Sequence, residues 1–174
     1  MVAEILNSIM QMDDDDYEKC LKLYDYMETN FTYEYDGREQ GADEDGYVYY
    51  ALKNHTATCT VLAGAYSSLR LQAGVEAVSV GCHDGVDHEW TYAIVNGRGY
   101  HIDPTWALKD DRGSYELYLG YFMMDDEART STGCPVSDLT VQLLPQYWAS
   151  RASVSFAASD DHYYLGENMT LESL

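Results

Sequence analysis

Residues 88–106 read HEWTYAIVNGRGYHIDPTW, two alternating segments around an Asn-Gly pair, which makes this stretch a β-hairpin. Asn-Gly accepts the positive φ angles of the tight turns that match strand twist, so it is the strongest short hairpin signal available. The expected strands are residues 88–95 and 100–103, joined through Asn96-Gly97-Arg98-Gly99. With Asn96 and Gly97 as a two-residue turn, positions equidistant from it face each other, which sets Asp103 opposite Trp90 on one face. His88 is then the diagonal neighbour of Asp103. Diagonal Cβ atoms lie within about 7–8 Å, a gap that an imidazole and a carboxylate can close with a hydrogen bond. A four-residue loop would keep the face and displace the pair, whereas a three-residue loop would put the two on opposite faces.

Upstream, Val78, Val80 and Cys82 alternate as a strand should, and residues 83–87 form a loop. Before them, Leu62, Tyr66, Leu69 and Ala73 recur at helical steps and stop at Gly74. Thr56 and Thr58 are candidate caps of that helix, and Cys59 falls in its first turn. A second helix is expected over residues 14–30, where Tyr17, Leu21, Tyr24 and Met27 share a face and the acids from Asp13 to Asp16 meet the positive end of the dipole. The ligand alternation and glycine of an EF-hand are missing there, so the aspartates read as caps rather than calcium ligands. Residues 32–46 read as an extended piece and then a loop, and residues 47–52 lead into the cysteine region. Beyond Trp106 a polar turn over residues 109–113 precedes an apolar segment, 115–124, expected to pack back on the sheet and to end at Asp125 and Asp126. One or two strands are expected in residues 127–174, and no repeat or low-complexity tract interrupts the chain.

A cysteine is a nucleophile only as thiolate, and two features of this pattern favour that form. The helix N-terminus stabilises the anion, and an imidazole that takes the thiol proton leaves an imidazolium beside it. Asp103 would accept from one ring nitrogen of His88, leaving the other for Cys59 and stabilising the imidazolium. Each residue alone has a plainer reading: a buried core cysteine, a strand-end histidine, a turn aspartate before Pro104. Taken together they read as nucleophile, base and orienter.

Cys59 at a helix start, Ala73-Gly74-Val75 after it, His88-Glu89-Trp90 and Asp103-Pro104-Thr105-Trp106 resemble the core of the transglutaminase-like superfamily. The likeness covers about residues 15–126, with 127–174 as a C-terminal extension of a single domain spanning 1–174. It departs at Thr56-Ala57-Thr58, where many relatives have a glycine, and at Thr91, where many have an asparagine. The resemblance implies an α+β, papain-like fold with the cysteine-bearing helix packed on an antiparallel β-sheet. It implies thiol-dependent acyl transfer on peptide or glutamine amides through a thioester, with cross-linking or hydrolysis both open. A cysteine protease or amidase of the same fold, and an inactive peptide-binding module, are the alternatives. By the family's logic the oxyanion donors are the backbone N–H of Cys59 and an upstream polar side chain, for which Tyr49 and Tyr50 are the candidates; Trp90 and Trp106 are the candidate substrate contacts. The likeness is greatest to bacterial members, commonly domains of exported proteins, so an extracellular or cell-surface location is expected. Residues 1–12 lack a secretory leader, which keeps the cytoplasm open as well.

The composition narrows the partners. At 174 residues, 46% hydrophobic and 13% aromatic, the chain suits one globular domain. A net charge of −20 repels phosphate backbones and anionic lipid, so no nucleic acid is expected, and neutral or basic peptides or proteins are the tolerated substrates. The same charge serves solubility. No apolar run is long enough to insert in a membrane. Four cysteines, Cys20, Cys59, Cys82 and Cys134, are too few and too spread for a disulfide scaffold; with Cys59 catalytic, at most one bridge is left. Cys82, His83, Asp84, Asp87 and His88 have zinc-competent types but lie too close in one loop to surround a tetrahedral ion alone, so neither metal nor cofactor is called for. The sequons at Asn30, Asn54 and Asn168 read as chance, since a glycan at Asn54 would crowd Cys59. Seventeen tyrosines could line a peptide groove but read more simply as the edge of the core.

Overall fold

The computed structural model describes residues 1–35, 46–82, 86–108, 117–136 and 139–141. In chain order the elements are α1 (Val2–Ile9), α2 (Asp16–Asn30), β1 (Thr32–Tyr33), α3 (Tyr47–Asn54), β2 (Thr56–Ala57), α4 (Cys59–Gln72), β3 (Ala77–Cys82), β4 (His88–Val95), β5 (Arg98–Ile102), a single 3-10 turn (Leu119–Tyr121), α5 (Asp126–Ser131) and β6 (Thr140–Val141). The acid run caps α2 as expected. The Asp15 carboxylate accepts from the Glu18 N–H and the Glu18 carboxylate from the Asp15 N–H, each at 2.8 Å, a reciprocal box that satisfies two donors the helix cannot.

The sheet order is β5-β4-β3-β6, antiparallel throughout. Asn96 and Gly97 turn the chain with φ of 50° and 78°, and Val95 faces Arg98, so the two-residue turn sets the register. β5 therefore begins at Arg98, two residues before the expected start, because no longer loop intervenes. Pairing runs to Thr91 opposite Ile102; at the next position the N–H of Asp103 instead donates to the carbonyl of Tyr121 at 2.9 Å. The segment after Trp106 does return to the sheet there, with Phe122, Met123 and Met124 buried and Met124 bridged to His101. Asp125 follows that segment, as expected. It caps α5 by accepting from the Ala128 N–H at 2.6 Å, a helix that the expected strands left out, while β6 supplies one short strand beside β3.

Helix α4 is central. Val61, Leu62, Ala63, Ala65, Tyr66 and Leu69 are buried, because one side packs on β3 and β4 and the other on α2 and α3. This is the cysteine-bearing helix on an antiparallel sheet, an α+β fold. Three buried hydroxyls tie the layers: Ser67 meets Thr91 at 2.9 Å and Ser79 at 3.3 Å, and Thr91 donates to the Ala63 carbonyl at 3.2 Å. Odd positions of β4 and even positions of β5 look towards α4 and join the main core, as Ala93, Val95, Tyr100 and Ile102 show. The opposite parity, with His88, Trp90 and His101, carries polar side chains on a smaller second core with Val80, Cys82 and Cys134. Among the described residues no helix is long and apolar enough to cross a membrane.

Candidate active site

Thr58 holds the N-cap position of α4 without a side-chain cap hydrogen bond, so the positive helix end is left to Cys59, the first helical residue. Thr56 lies in β2 instead of capping. The parallel pairing of β1 with β2 sets Tyr33 beside Ala57, held by the Glu34 N–H donating to the Ala57 carbonyl at 3.0 Å. That short pairing brings the Tyr33 hydroxyl to the Cys59 sulfur, which also accepts from the Glu89 N–H and is hydrogen-bonded to His88.

His88, the first residue of β4, is 4% exposed, and its Nε2 meets Asp103 Oδ2 at 2.7 Å. Its other nitrogen, Nδ1, is therefore the one left for the thiol. Asp103 is fully buried and has every lone pair occupied. Oδ1 accepts from the Thr105 and Trp106 N–H groups at 3.1 and 3.3 Å, and Oδ2 accepts from His88 and from Arg129 Nη1 at 2.8 Å. The imidazole lies flat on Trp106, with centroids 4.3 Å apart and planes 12° from parallel.

These contacts set the charges. Burial alone would push the Cys59 thiol up, but the His88 hydrogen bond and charge, with the Glu89 N–H and the Tyr33 hydroxyl, bring it below its ordinary value. Burial opposes the His88 imidazolium too, yet the Asp103 charge and hydrogen bond prevail and push it up to about 9. Burial would raise Asp103; His88 and Arg129 hold it below the usual carboxylate range. Both shifts work in the same sense, favouring a thiolate beside an imidazolium, the reactive form of a cysteine nucleophile.

The structure thus brings Cys59, His88 and Asp103 together. A cleft of about 550 Å³ opens beside His88, lined among others by Tyr33, Tyr35, Trp106 and Tyr121. Trp106 is in that lining; Trp90 is not, being fully buried, with its Nε1–H donating to His101 Nδ1 at 3.0 Å. Trp90 therefore packs the second core, where it was expected to meet substrate, and does not line this cleft. Tyr49 and Tyr50 stand on α3 with rings edge to face at 5.5 Å and Tyr49 53% exposed, and neither is among the groups bonded to Cys59 or lining the cleft. The tyrosine at the sulfur is Tyr33, which sequence reasoning passed over because its placement comes from a two-residue strand pairing with no local signature. Arg129 was missed as well, an arginine in a polar stretch that nothing local marks as buried.

Of the metal-competent cluster, His83 and Asp84 lie outside the described residues, while His88 is bonded to Asp103. Thr91 lies buried on the α4 side of the sheet, in the hydroxyl cluster and away from the thiol. All four cysteines are free thiols.

The chain matches a family profile described as transglutaminase-like superfamily over residues 3–104. No curated protein matches its sequence. Similar solved structures include a candidate cysteine protease from Cytophaga hutchinsonii, with 12% identity over 62% of this chain and 37% of that chain at a TM-score of 0.49. Another is a protein described as a TGase, with 16% identity over 70% of this chain and 34% of that chain, also at 0.49. The chain spans about a third of the length of each.

Proposed function

The chain belongs to the transglutaminase-like superfamily, and from that premise we propose that it is a cysteine acyltransferase acting on peptide or glutamine side-chain amides. The observation that carries the reading is His88, bonded on one side to Cys59 and on the other, at 2.7 Å, to the buried Asp103. In the proposed reaction the Cys59 thiolate attacks the amide carbon, and the carbonyl electron pair moves to oxygen. The C–N bond then breaks as His88 gives its Nδ1 proton to the departing ammonia or amine, leaving a thioester. Water or an amine attacks that thioester, His88 takes the attacker's proton, and the C–S bond breaks to restore the thiolate. Asp103 keeps the ring oriented throughout and stays ionised. We assign the developing oxyanion to the Cys59 N–H at the helix start and to the Tyr33 hydroxyl, in place of Tyr49 and Tyr50; the bond from Tyr33 to the sulfur supports this.

Hydrolysis is the second reading, and the partial exposure of Cys59 favours it, because water can reach a thioester formed there. Incubation with a glutamine-containing peptide and a labelled primary amine separates the two. Amine incorporation marks transfer, and release of ammonia or of a cleaved peptide without incorporation marks hydrolysis. Both should vanish in Cys59→Ala and fall by about 10²–10⁴ in His88→Ala. Peptide binding with neither product, equal in parent and Cys59→Ala, would leave a binding module in place of an enzyme.

A further inference from the structure

Arg129 is supplied by α5, beyond the residues 3–104 that the family profile matches, and it is fully buried. A buried guanidinium is costly unless it is paired, so its surroundings state what it is for. Nη1 donates at 2.8 Å to Asp103 Oδ2, the same oxygen that meets His88 Nε2. Its Cζ lies 4.2 Å from the Trp90 ring centroid and 4.6 Å from that of Trp106, so the tryptophans of His-Glu-Trp and Asp-Pro-Thr-Trp flank a cation. Nε and Nη2 have no hydrogen-bond partner among the described residues, which leaves ring faces and Asp103 as the groups shown compensating the charge.

We infer that Arg129 is a positioning residue of this site, acting through Asp103: it locks the carboxylate towards His88 and shares its negative charge, so that the aspartate does not hold the imidazolium too tightly. This rests on the catalytic reading of Cys59, His88 and Asp103. With four donors on its two oxygens, the Asp103 carboxylate cannot rotate without breaking a bond. With Arg129 present, the buried carboxylate of Asp103 lies between two cationic groups, the His88 ring and the guanidinium. Without it, Asp103 would act on His88 alone, and a general acid that binds its proton too firmly passes it poorly to a leaving amine. Consistent with this, Arg129 opposes the rise that Asp103 imposes on His88. Among the described residues, other ionisable groups around the pair include Cys59 from α4, Tyr33 from β1, Glu89 from β4, Tyr121 against Trp106, and the His101–Asp126 pair that Trp90 touches through His101.

The test is the ring titration of His88 by NMR, together with the alkylation rate of Cys59, in the parent chain, Arg129→Met and Arg129→Lys. In Arg129→Met the His88 midpoint should rise by about one unit or more, because a like charge has been removed from its neighbourhood. Amide turnover should fall severalfold, while Cys59 alkylation, which passes no proton to a leaving amine, should be retained. Arg129→Lys keeps the charge and should bring the midpoint back to within about 0.3 unit of the parent. A folded Arg129→Met chain whose His88 titrates as in the parent overturns the inference, since a merely space-filling arginine would leave that midpoint alone. Should Arg129→Met not fold, the parent with ¹⁵N-arginine decides: the Arg129 guanidinium resonance should move with the midpoint of His88, and a flat resonance overturns the inference. Failure of the two readings is distinguishable. A Cys59 in the parent no more reactive than an ordinary thiol sinks both, whereas an activated Cys59 with an indifferent Arg129 sinks this one alone.

Discussion

Cys20 and Cys59 each sit beside a cationic side chain, and they shift in opposite directions. Cys20, on α2, is fully buried, and its sulfur accepts from Arg70 Nη2, a guanidinium that is itself buried and lies 5.3 Å over the Tyr66 ring. Burial pushes that thiol up to about 11, and the Arg70 charge is too weak to reverse it. Cys59 is only partly buried and is brought down by His88, the Glu89 N–H and the Tyr33 hydroxyl. The difference lies in what the neighbours can do. A guanidinium has no site for a proton, so the Cys20 proton would have to leave for water that the sulfur does not touch. An imidazole takes the proton itself, and the donors around Cys59 stabilise what remains. A neighbouring positive charge does not make a thiolate; a proton acceptor and partial access do.

The largest effect that would break this contrast is a rate ratio. Iodoacetamide at neutral pH should modify Cys59 about a thousandfold faster than Cys20 in the folded chain, read by mass spectrometry of the two peptides, and comparable rates would end the comparison. Next in size is Asp103→Asn, which leaves the Arg129 guanidinium buried beside a neutral group; a loss of about 3–5 kcal/mol in urea unfolding is expected. His88→Ala should slow Cys59 alkylation at neutral pH by roughly 10- to 100-fold, while Arg70→Met should leave Cys20 as inert as before.

A smaller effect sharpens the electrostatics. In Cys59→Ala the thiol no longer titrates, and His88 is still raised by Asp103 above its ordinary 6.5. A raised imidazole stabilises the fold fully below pH 6.5 and loses that contribution as pH climbs through its folded value, which lies below the parent's because the Cys59 hydrogen bond is gone, so the stability of this variant should decline above pH 6.5 by about 1–2 kcal/mol. A flat profile would mean that His88 is not held as an imidazolium. The smallest change is Tyr33→Phe, expected to lower Cys59 alkylation near neutral pH by about threefold through the loss of one donor to the sulfur.

The parts of the site that could be read in the sequence are those governed by short-range rules. Asn96-Gly97 dictates a turn of known length, and turn length dictates which face Asp103 shares with His88. The spacing of Leu62, Tyr66 and Leu69 dictates a helix, which puts Cys59 at its start. What stayed hidden is non-local. Tyr33 reaches the sulfur through a pairing of two residues with two others, too short to leave a pattern. Helix α3 has Gly46 at its N-cap with no side-chain bond, so its beginning carries no signal. Helix α5 is six residues of mostly polar sequence, and its one buried side chain, Arg129, is buried only because Asp103 and two tryptophans wait for it. A tryptophan in an alternating strand looks the same whether it meets substrate, as was expected of Trp90, or a guanidinium, as the fold has it.

The tight turn at Asn96 and Gly97 has a bearing on how such a chain can vary. Its tip is free of any role in chemistry, yet adding or deleting one residue there would rotate every following side chain of β5 to the opposite surface and carry Asp103 away from its histidine. Substitution is permitted wherever φ can stay positive; resizing is not. The length of the bend is thus inherited along with the nucleophile, a ruler written in backbone rather than in side chains.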